Sequence, residues 1–266
     1  MDCIEPKTIS CFIKKSIDET FKDILSFCSD PRDLIQAEYL FTVNTAKMLS
    51  ISKLSGGEPY RIIMEKRTNL LINECFPSSK TEKIEKNKAF SRTRIISTVI
   101  TNKSNIRKGK IDIVIYRYDD DLYHNQRDYL PICAIELKAF NPSSDNVKKD
   151  LKRNLAFLNL SANIGVNSLT FTAFSSFEWF KSIKIDDDCE HLSKVREKYE
   201  NIIDYVLDKR KSISYNLEVF TIKKSHGDIT RNFEMINGYI EDLSEIDTST
   251  KHHFVGVIIT FEKISF

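Results

Sequence analysis

The sequence predicts an α/β protein with a mixed central β-sheet flanked by helices. Several stretches repeat apolar residues at intervals of three and four, as helices with one buried face do, and others are short runs of β-branched and aromatic residues, as in buried strands. The two kinds alternate along the chain, and the order strand, helix, strand between Ile132 and Phe174 implies parallel strands joined by a crossover. With 266 residues, 41% of them hydrophobic, the chain can bury the core of one such domain.

The N-terminal part of the chain begins with two predicted helices. Apolar residues follow the helical interval from Lys7 to Cys28, and Asp30-Pro31 then ends this helix and starts another, from about Arg32 to Ser50. After the break at Ser55-Gly56-Gly57, the predicted elements are a strand at Tyr60–Lys66, a short helix at Asn69–Phe76, a loop at Pro77–Asn87 and a strand at Arg92–Ile100.

The remaining elements start with two apolar runs that we predict to be strands. A polar connection from Asp119 to Tyr129 separates them, and Asn141-Pro142-Ser143-Ser144 ends the second run and offers a helix cap. The predicted elements are strands at Ile111–Tyr116 and Ile132–Leu137, a helix at Asp145–Leu160, a strand at Ser168–Phe174, a helix at His191–Lys209, a strand at Ile213–Ile222, a helix at Arg231–Leu243 and a strand at Phe254–Ile264.

Each of the two apolar runs carries an acidic residue, which a buried strand does not favour. These are Asp112 and Glu136, and Lys138 follows two residues later on the same strand face. If the runs pair, Asp112 lies beside them. Charges buried among Ile, Val and Leu need a partner, and two interpretations supply one: a divalent metal shared by both carboxylates, or an ion pair of Lys138 with one carboxylate at a strand edge.

Basic residues are unevenly distributed, although the net charge is only +2. One group lies between Lys80 and Lys110, opposed there only by Glu82 and Glu85, and the other lies off the apolar face of the Asp145–Leu160 helix. Both groups suit either contacts to nucleic-acid phosphates or ordinary solvated surface. The candidates for such contacts are Arg92, Arg94, Lys108, Lys110, Lys148, Lys149, Lys152 and Arg153.

Other classes of protein are disfavoured by what the sequence lacks. No signal peptide is recognisable, and no apolar run approaches the roughly 20 residues of a membrane span, so we expect a soluble, cytoplasmic protein without a membrane partner. The six cysteines form no CxxC pair, which favours reduced thiols. The adjacent pair His252-His253 lacks the spacing of a metal site and is expected at the surface.

Two segments, Gly109–Ile115 (GKIDIVI) and Ala134–Phe140 (AIELKAF), resemble the signature of the PD-(D/E)XK nuclease superfamily, which includes many restriction endonucleases. The resemblance covers about residues 31–175 and implies a restriction-endonuclease-like catalytic core there. From the length of the chain we expect a single domain, in which a helical extension at 1–30 precedes this core and a C-terminal α/β elaboration at 176–266 follows it. Ile111 stands where the family name has proline. The strand at Arg92–Ile100 is an alternative first strand of the core, which leaves a role for Glu65 open.

The resemblance also implies roles for individual residues. Asp112 and Glu136 would be ligands of Mg²⁺ or Mn²⁺, completed by the Leu137 backbone carbonyl, and Lys138 would orient or help to deprotonate the attacking water. Glu38 would be the further acid that many members carry on their first helix.

The implied activity is hydrolysis of phosphodiester bonds, in DNA before RNA, and by analogy the implied setting is restriction or anti-phage defence, with a partner protein of such a system. Cutting both strands together takes two active sites, which suits a homodimer. Two alternatives remain open: a nuclease-like nucleic-acid-binding or assembly subunit that is inactive alone, and an interaction protein in which the acids only form ion pairs.

Overall fold

The computed structural model describes residues 5–28, 37–56, 60–75, 108–118, 129–162, 169–181, 188–208, 212–230, 233–242 and 245–264. Their elements in chain order are α1 (Pro6–Cys28), α2 (Ala37–Gly56), β1 (Tyr60–Arg67), α3 (Thr68–Cys75), β2 (Lys110–Tyr118), β3 (Tyr129–Phe140), α4 (Ser144–Ala162), β4 (Phe171–Phe180), α5 (Asp188–Leu207), β5 (Ile213–Thr230), β6 (Phe233–Ile236), β7 (Tyr239–Asp242) and β8 (Glu245–Lys263).

Six of the strands form one mixed sheet in the order β1-β2-β3-β4-β8-β5. The pair β3–β4 is parallel, and the helix α4 connects these two strands, as the predicted crossover requires. The other neighbouring strands pair antiparallel, so the sheet is mostly antiparallel. The predicted class, a mixed central sheet flanked by helices, is therefore confirmed.

Helices cover both faces of this sheet. On one face α3, α4 and α5 contribute to a core that includes Leu151 and Tyr199. On the other face α1 and α2 contribute Ile13 and Phe41 to a second core. Because both faces are covered, the central strands are apolar on both sides, which is why they occur in the sequence as continuous apolar runs. Among the described helices, none has the length and apolar character needed to cross a membrane.

Most of the predicted elements are confirmed, with bounds shifted by a few residues. The strands predicted at Ile213–Ile222 and Phe254–Ile264 are longer in the structure, as β5 and β8. The loop predicted at Pro77–Asn87 and the strand predicted at Arg92–Ile100 lie outside the described residues.

The helix predicted at Arg231–Leu243 is wrong, because this segment contains the hairpin β6–β7. Asn237 and Gly238 connect the two strands with φ values of 53° and 85°. Tight hairpin turns of this kind need positive φ at both central residues, and Asn-Gly is the dipeptide that adopts it most readily. The dipeptide therefore favours a turn in the middle of the predicted helix.

The surface position predicted for His252-His253 is also wrong, since both side chains are fully buried. They lie on β8, between β4 and β5, where adjacent side chains point to opposite faces and both faces are covered. His253 Nδ1 lies 3.3 Å from His191 Nδ1, and its Nε2 lies 2.9 Å from Thr221 Oγ1. Contacts within the fold thus accommodate His253.

Candidate functional site

The two acids of the apolar runs lie where strands β2 and β3 stop pairing. Ile113–Ile135 is the last pair of the ladder, so Asp112 and Glu136 each lie one residue beyond it. There the Leu137 N–H donates a hydrogen bond of 2.6 Å to Asp112 Oδ2. The N–H and C=O of one residue in an extended strand point to the same side, so the Leu137 carbonyl also faces the side of Asp112. Two carboxylates and one carbonyl are thereby grouped at the end of the ladder.

Strand β1 is irregular at the same level of the sheet. Met64 pairs with Ile113 and Lys66 pairs with Ile111, whereas Glu65 between them has a φ of 55° and is left out of the register. A positive φ at a single residue turns its side chain away from the direction that a regular strand would give it. Glu65 accepts a hydrogen bond of 2.8 Å from the exposed Lys110. The structure therefore directs Glu65 to a surface ion pair.

Lys138 joins the first helix of the predicted core to the sheet. Its Nζ donates a hydrogen bond of 2.9 Å to Glu38 Oε1, at the start of α2, and lies 3.7 Å from Asp150 Oδ2 on α4. The Lys138 side chain is 20% exposed and that of Glu38 is 44% exposed. The predicted residues Glu38 and Lys138 are thus in direct contact, at the solvent-accessible side of the group.

Glu136 contacts Arg153, which the sequence predicts on the solvated side of its helix. Arg153 Nη2 lies 2.5 Å from Glu136 Oε1 and 3.1 Å from Asp150 Oδ1. The prediction that Arg153 lies on the solvated side of its helix, in reach of nucleic acid, is wrong, because its side chain is only 5% exposed. Arg153 extends from α4 toward the sheet, and the contact to Glu136 brings it into the candidate site.

These contacts define a set of charged groups that we call the acidic cluster. Four carboxylates meet two cations in it, so that full ionisation leaves two uncompensated negative charges. The carboxylates are those of Glu38, Asp112, Glu136 and Asp150, and the cations are Lys138 and Arg153.

The pKa values of the two strand acids are both raised, mainly by burial. Burial raises the pKa of Asp112 to about 6 from its ordinary 3.8, and the Leu137 N–H and Lys138, which act in the opposite direction, do not cancel the effect. Burial also raises the pKa of Glu136 well above 4.5, although Arg153 lowers it, and the charge of Asp112 raises it further. The free energy of the ionised pair is therefore high, and a nearby cation would lower it.

The pKa of the Lys138 ammonium group is also raised, but by its carboxylate neighbours and against the effect of burial. Burial lowers its pKa, but the hydrogen bond to Glu38 and the charges of Asp112, Glu38 and Asp150 outweigh burial and raise the pKa above 10.5. Lys138 is consequently protonated at neutral pH.

The donor set at the ladder end suits a hard divalent cation. Mg²⁺ prefers oxygen ligands, usually takes one or two carboxylates and keeps several waters. Asp112, Glu136 and the Leu137 carbonyl supply such oxygens, and the buried Glu136 Oε1 receives no hydrogen bond within the described part of the chain. Among the residues that the structure describes, no group of three or more His, Cys, Asp or Glu side chains converges closely enough to hold a metal ion. The arrangement therefore fits an ion held by two carboxylates and water, with Glu38 occupied by Lys138.

The other candidates for nucleic-acid contacts lie at the surface where they are described. Lys108, Lys110, Lys149 and Lys152 are exposed, and Lys148 is partly buried. Lys148 and Lys152 lie over the ring of Tyr205, at 5.1 and 4.5 Å from its centroid. Arg92 and Arg94 lie outside the described residues. The basic face of α4 is thus accessible, apart from Arg153.

Two residues of the acidic cluster, Asp150 and Arg153, were missing from the candidate acids and metal-site residues of the sequence analysis. The helical spacing contains a signal for them. Phe157 is fully buried and lies seven residues after Asp150 and four after Arg153, so all three lie along one side of α4. The apolar face of this helix is therefore wider than the stripe from Val147 to Leu158, and it includes two charged residues spaced to pair with each other.

Comparison with protein-family models, curated proteins and solved structures gives no match to this chain. Its own residues define a class of site: a buried, acid-rich cluster at the end of a strand ladder in a mixed α/β sheet. The function is inferred from that cluster.

Proposed function

We propose that the protein is a Mg²⁺- or Mn²⁺-dependent nuclease of the PD-(D/E)XK type that hydrolyses phosphodiester bonds, in DNA before RNA. The observation that carries this proposal is the meeting of Asp112, Glu136 and Lys138 at the end of the β2–β3 ladder, with an excess of negative charge. The order α2, β1, α3, β2, β3, α4 and β4, in which β1, β2 and β3 pair antiparallel and β4 pairs parallel with β3, supports a restriction-endonuclease-like core.

Each residue of the site has a proposed role in the reaction. Asp112, Glu136 and the Leu137 carbonyl would hold the metal. When bound, the metal polarises a phosphate oxygen, lowers the pKa of a water and neutralises charge on the leaving oxygen. Lys138, whose pKa is raised, is suited to donate hydrogen bonds to the attacking water or to a phosphate oxygen. Glu38 holds Lys138 in position.

Substrate and biological setting are proposed from the same resemblance. The exposed lysines of α4 suit contacts to the phosphate backbone, which is shared by DNA and RNA. Restriction or anti-phage defence in the cytoplasm, with a homodimer or a partner protein, is the setting that the resemblance implies.

A cleavage assay tests the proposal. Linear, circular and single-stranded DNA, and RNA, are incubated with the protein in Mg²⁺, Mn²⁺ or EDTA. We expect metal-dependent cleavage that is lost in EDTA and in Asp112→Ala and Lys138→Ala. The control is Glu178→Gln, which changes another buried acid of the sheet and should retain cleavage. Robust cleavage by both alanine variants would exclude this site.

A second function is favoured by the contact of Arg153 with Glu136. A guanidinium group at this carboxylate supplies part of the charge compensation that a metal would give. A nuclease-like subunit that binds nucleic acid and depends on a partner for cleavage is consistent with this arrangement. Binding of DNA without cleavage in Mn²⁺ would favour this second function.

A further inference from the structure

The proposed metal site is partly neutralised by a side chain of the chain itself. We propose that Arg153 is a resident counter-cation of Glu136 that a divalent metal displaces, and that Asp150 retains Arg153 when this happens. The inference rests on the proposed function, because it assumes that Asp112 and Glu136 hold the metal. It assigns to Arg153 a regulatory role at this site.

The geometry of the guanidinium group favours exchange. Arg153 Nη2 is shared between two acids, at 2.5 Å from Glu136 Oε1 and 3.1 Å from Asp150 Oδ1. The contact to Asp150 is a hydrogen bond, whereas Glu136 Oε1 and Arg153 Nε form none within the described part of the chain. The contact of Arg153 with Glu136 is therefore a close ion pair that lacks hydrogen-bond geometry. Asp150 is the better-oriented partner of Arg153.

The position of the Arg153 guanidinium group depends on a glycine at the start of β2. A Cβ atom added to Gly109, the residue before β2, would lie 3.2 Å from Arg153 Nη1. Gly109 also has a φ of 147°, which L side chains rarely adopt. Glycine therefore leaves room for Arg153 between the start of β2 and Glu136 on β3. Asp112 is three residues beyond Gly109, so the guanidinium group lies beside both strands that carry the proposed ligands.

Charge balance gives the exchange its driving force. Without metal, the single charge of Arg153 is divided between two buried acids. A divalent cation at Asp112 and Glu136 would neutralise both, and repulsion between the metal and Arg153 would favour the pairing of Arg153 with Asp150. Arg153–Asp150 and Lys138–Glu38 would then be one-to-one pairs. The acidic cluster would have no excess charge.

A structural role for Arg153 predicts the opposite effect on metal binding. If Arg153 only orients Glu136 as a ligand, its loss weakens the binding of metal, as the loss of an outer-shell partner usually does. If Arg153 competes with the metal, its loss strengthens binding. The sign of the change separates the two roles.

The experiment measures Mn²⁺ affinity of the full chain by calorimetry and by the electron paramagnetic resonance of free Mn²⁺. We expect Arg153→Met, which keeps the aliphatic stem of the side chain and removes its charge, to bind Mn²⁺ about tenfold more tightly than the unmodified chain, because a competing cation is lost. Asp150→Asn should bind about tenfold more weakly, because Arg153 then stays with Glu136. The control is Arg196→Met on α5, where Arg196 is 48% exposed and affinity should not change.

The outcomes separate this inference from the proposed function. If the unmodified chain binds Mn²⁺ and Asp112→Asn does not, but Arg153→Met binds equally or more weakly, the exchange is overturned and the nuclease proposal stands. If neither the unmodified chain nor Arg153→Met binds Mn²⁺, both are overturned. Should Arg153→Met fail to fold, Arg153→Gln decides: tighter binding supports the exchange, and equal or weaker binding overturns it.

Discussion

Two neighbouring groups of polar residues, each with buried carboxylates of the sheet, differ in charge balance. One is the acidic cluster. The other, which we call the tyrosine cluster, lies on β4 and α5 and consists of Ser176, Glu178, Lys198 and Tyr199. Lys138 on β3 pairs in register with Ser176 on β4, so the two clusters are adjacent.

The tyrosine cluster is locally balanced. Glu178 Oε1 accepts hydrogen bonds of 2.7 Å from both Lys198 Nζ and Tyr199 Oη, and Tyr199 Oη lies 2.7 Å from Ser176 Oγ. One carboxylate thus faces one ammonium group. Burial, reinforced by the charge of Glu178, raises the pKa of Tyr199 well above 10, which keeps its hydroxyl protonated as a donor.

The comparison shows that burial of polar groups is not in itself a sign of function. Both clusters contain buried carboxylates, but only the acidic cluster retains negative charge that its own cations do not cancel. Burying a charge without a partner is unfavourable, so such an excess is a cost in stability unless a ligand uses it. This difference supports a structural role for the tyrosine cluster and the proposed metal binding for the acidic cluster.

The largest expected effect on stability comes from neutralising Asp112 in the acidic cluster. Asp112→Asn should raise the free energy of unfolding of the metal-free protein at neutral pH by up to about 3 kcal/mol, because a pKa raised by about two units corresponds to that penalty. It should also abolish stabilisation by Mn²⁺. Urea denaturation with and without Mn²⁺ measures both. A variant that is less stable and still responds to Mn²⁺ would contradict the charge excess.

Removing the Tyr199 hydroxyl should lower stability and leave the response to Mn²⁺ unchanged. Tyr199→Phe deletes the donor to Glu178 and the partner of Ser176, and should lower the free energy of unfolding by about 2 kcal/mol. The rise in melting temperature on adding Mn²⁺ should equal that of the unmodified chain. If Tyr199→Phe removed the response to Mn²⁺, the two clusters would not be separable.

The pH dependence of stability gives a smaller and more specific effect. Asp112 has a higher pKa in the folded chain than in the unfolded chain, so the folded state binds more protons between these two values and stability rises as the pH falls. With a folded pKa of about 6, the metal-free protein should gain about 1 kcal/mol from Asp112 between pH 7 and pH 5. Subtracting the pH profile of Asp112→Asn isolates this contribution. A difference profile that is flat or has the opposite slope would contradict the raised pKa.

The smallest effect on stability is expected at the exposed face of α4. Changing Lys149 and Lys152 together to alanine should alter the free energy of unfolding by no more than about 0.5 kcal/mol. The same change should weaken binding of DNA and lower the slope of log affinity against log salt by about one for each lost phosphate contact. The matched control is Lys22→Ala on α1, which covers the other face of the sheet. Equal losses in both variants would remove α4 from the proposed nucleic-acid surface.

The sequence predicts the sheet and the meeting of its charged residues because both depend on local patterns. Continuous apolar runs mark the strands, and the period of two places Glu136 and Lys138 on one face of β3. Once the two runs pair, Asp112 has to lie near them. The roles of these residues in catalysis remain a prediction.

What the sequence analysis missed depends on contacts between distant segments. The basic side of α4 does not reveal that Arg153 folds inward, because Gly109, far away in the chain, provides the room for its guanidinium group. The burial of His252 depends on the position of β8 inside the sheet. The β6–β7 turn is different, since Asn237-Gly238 is a local signal that outweighs the helical spacing around it.

The most direct test of the central claim is a calorimetric titration of the metal-free chain with Mn²⁺. An acidic cluster with two excess negative charges should bind one Mn²⁺ per chain, and Tyr199→Phe should bind it equally. Asp112→Asn and Glu136→Gln should show no binding at the same concentrations. The absence of binding by the unmodified chain, or equal binding by all four proteins, would contradict the assignment of a metal to the end of the β2–β3 ladder.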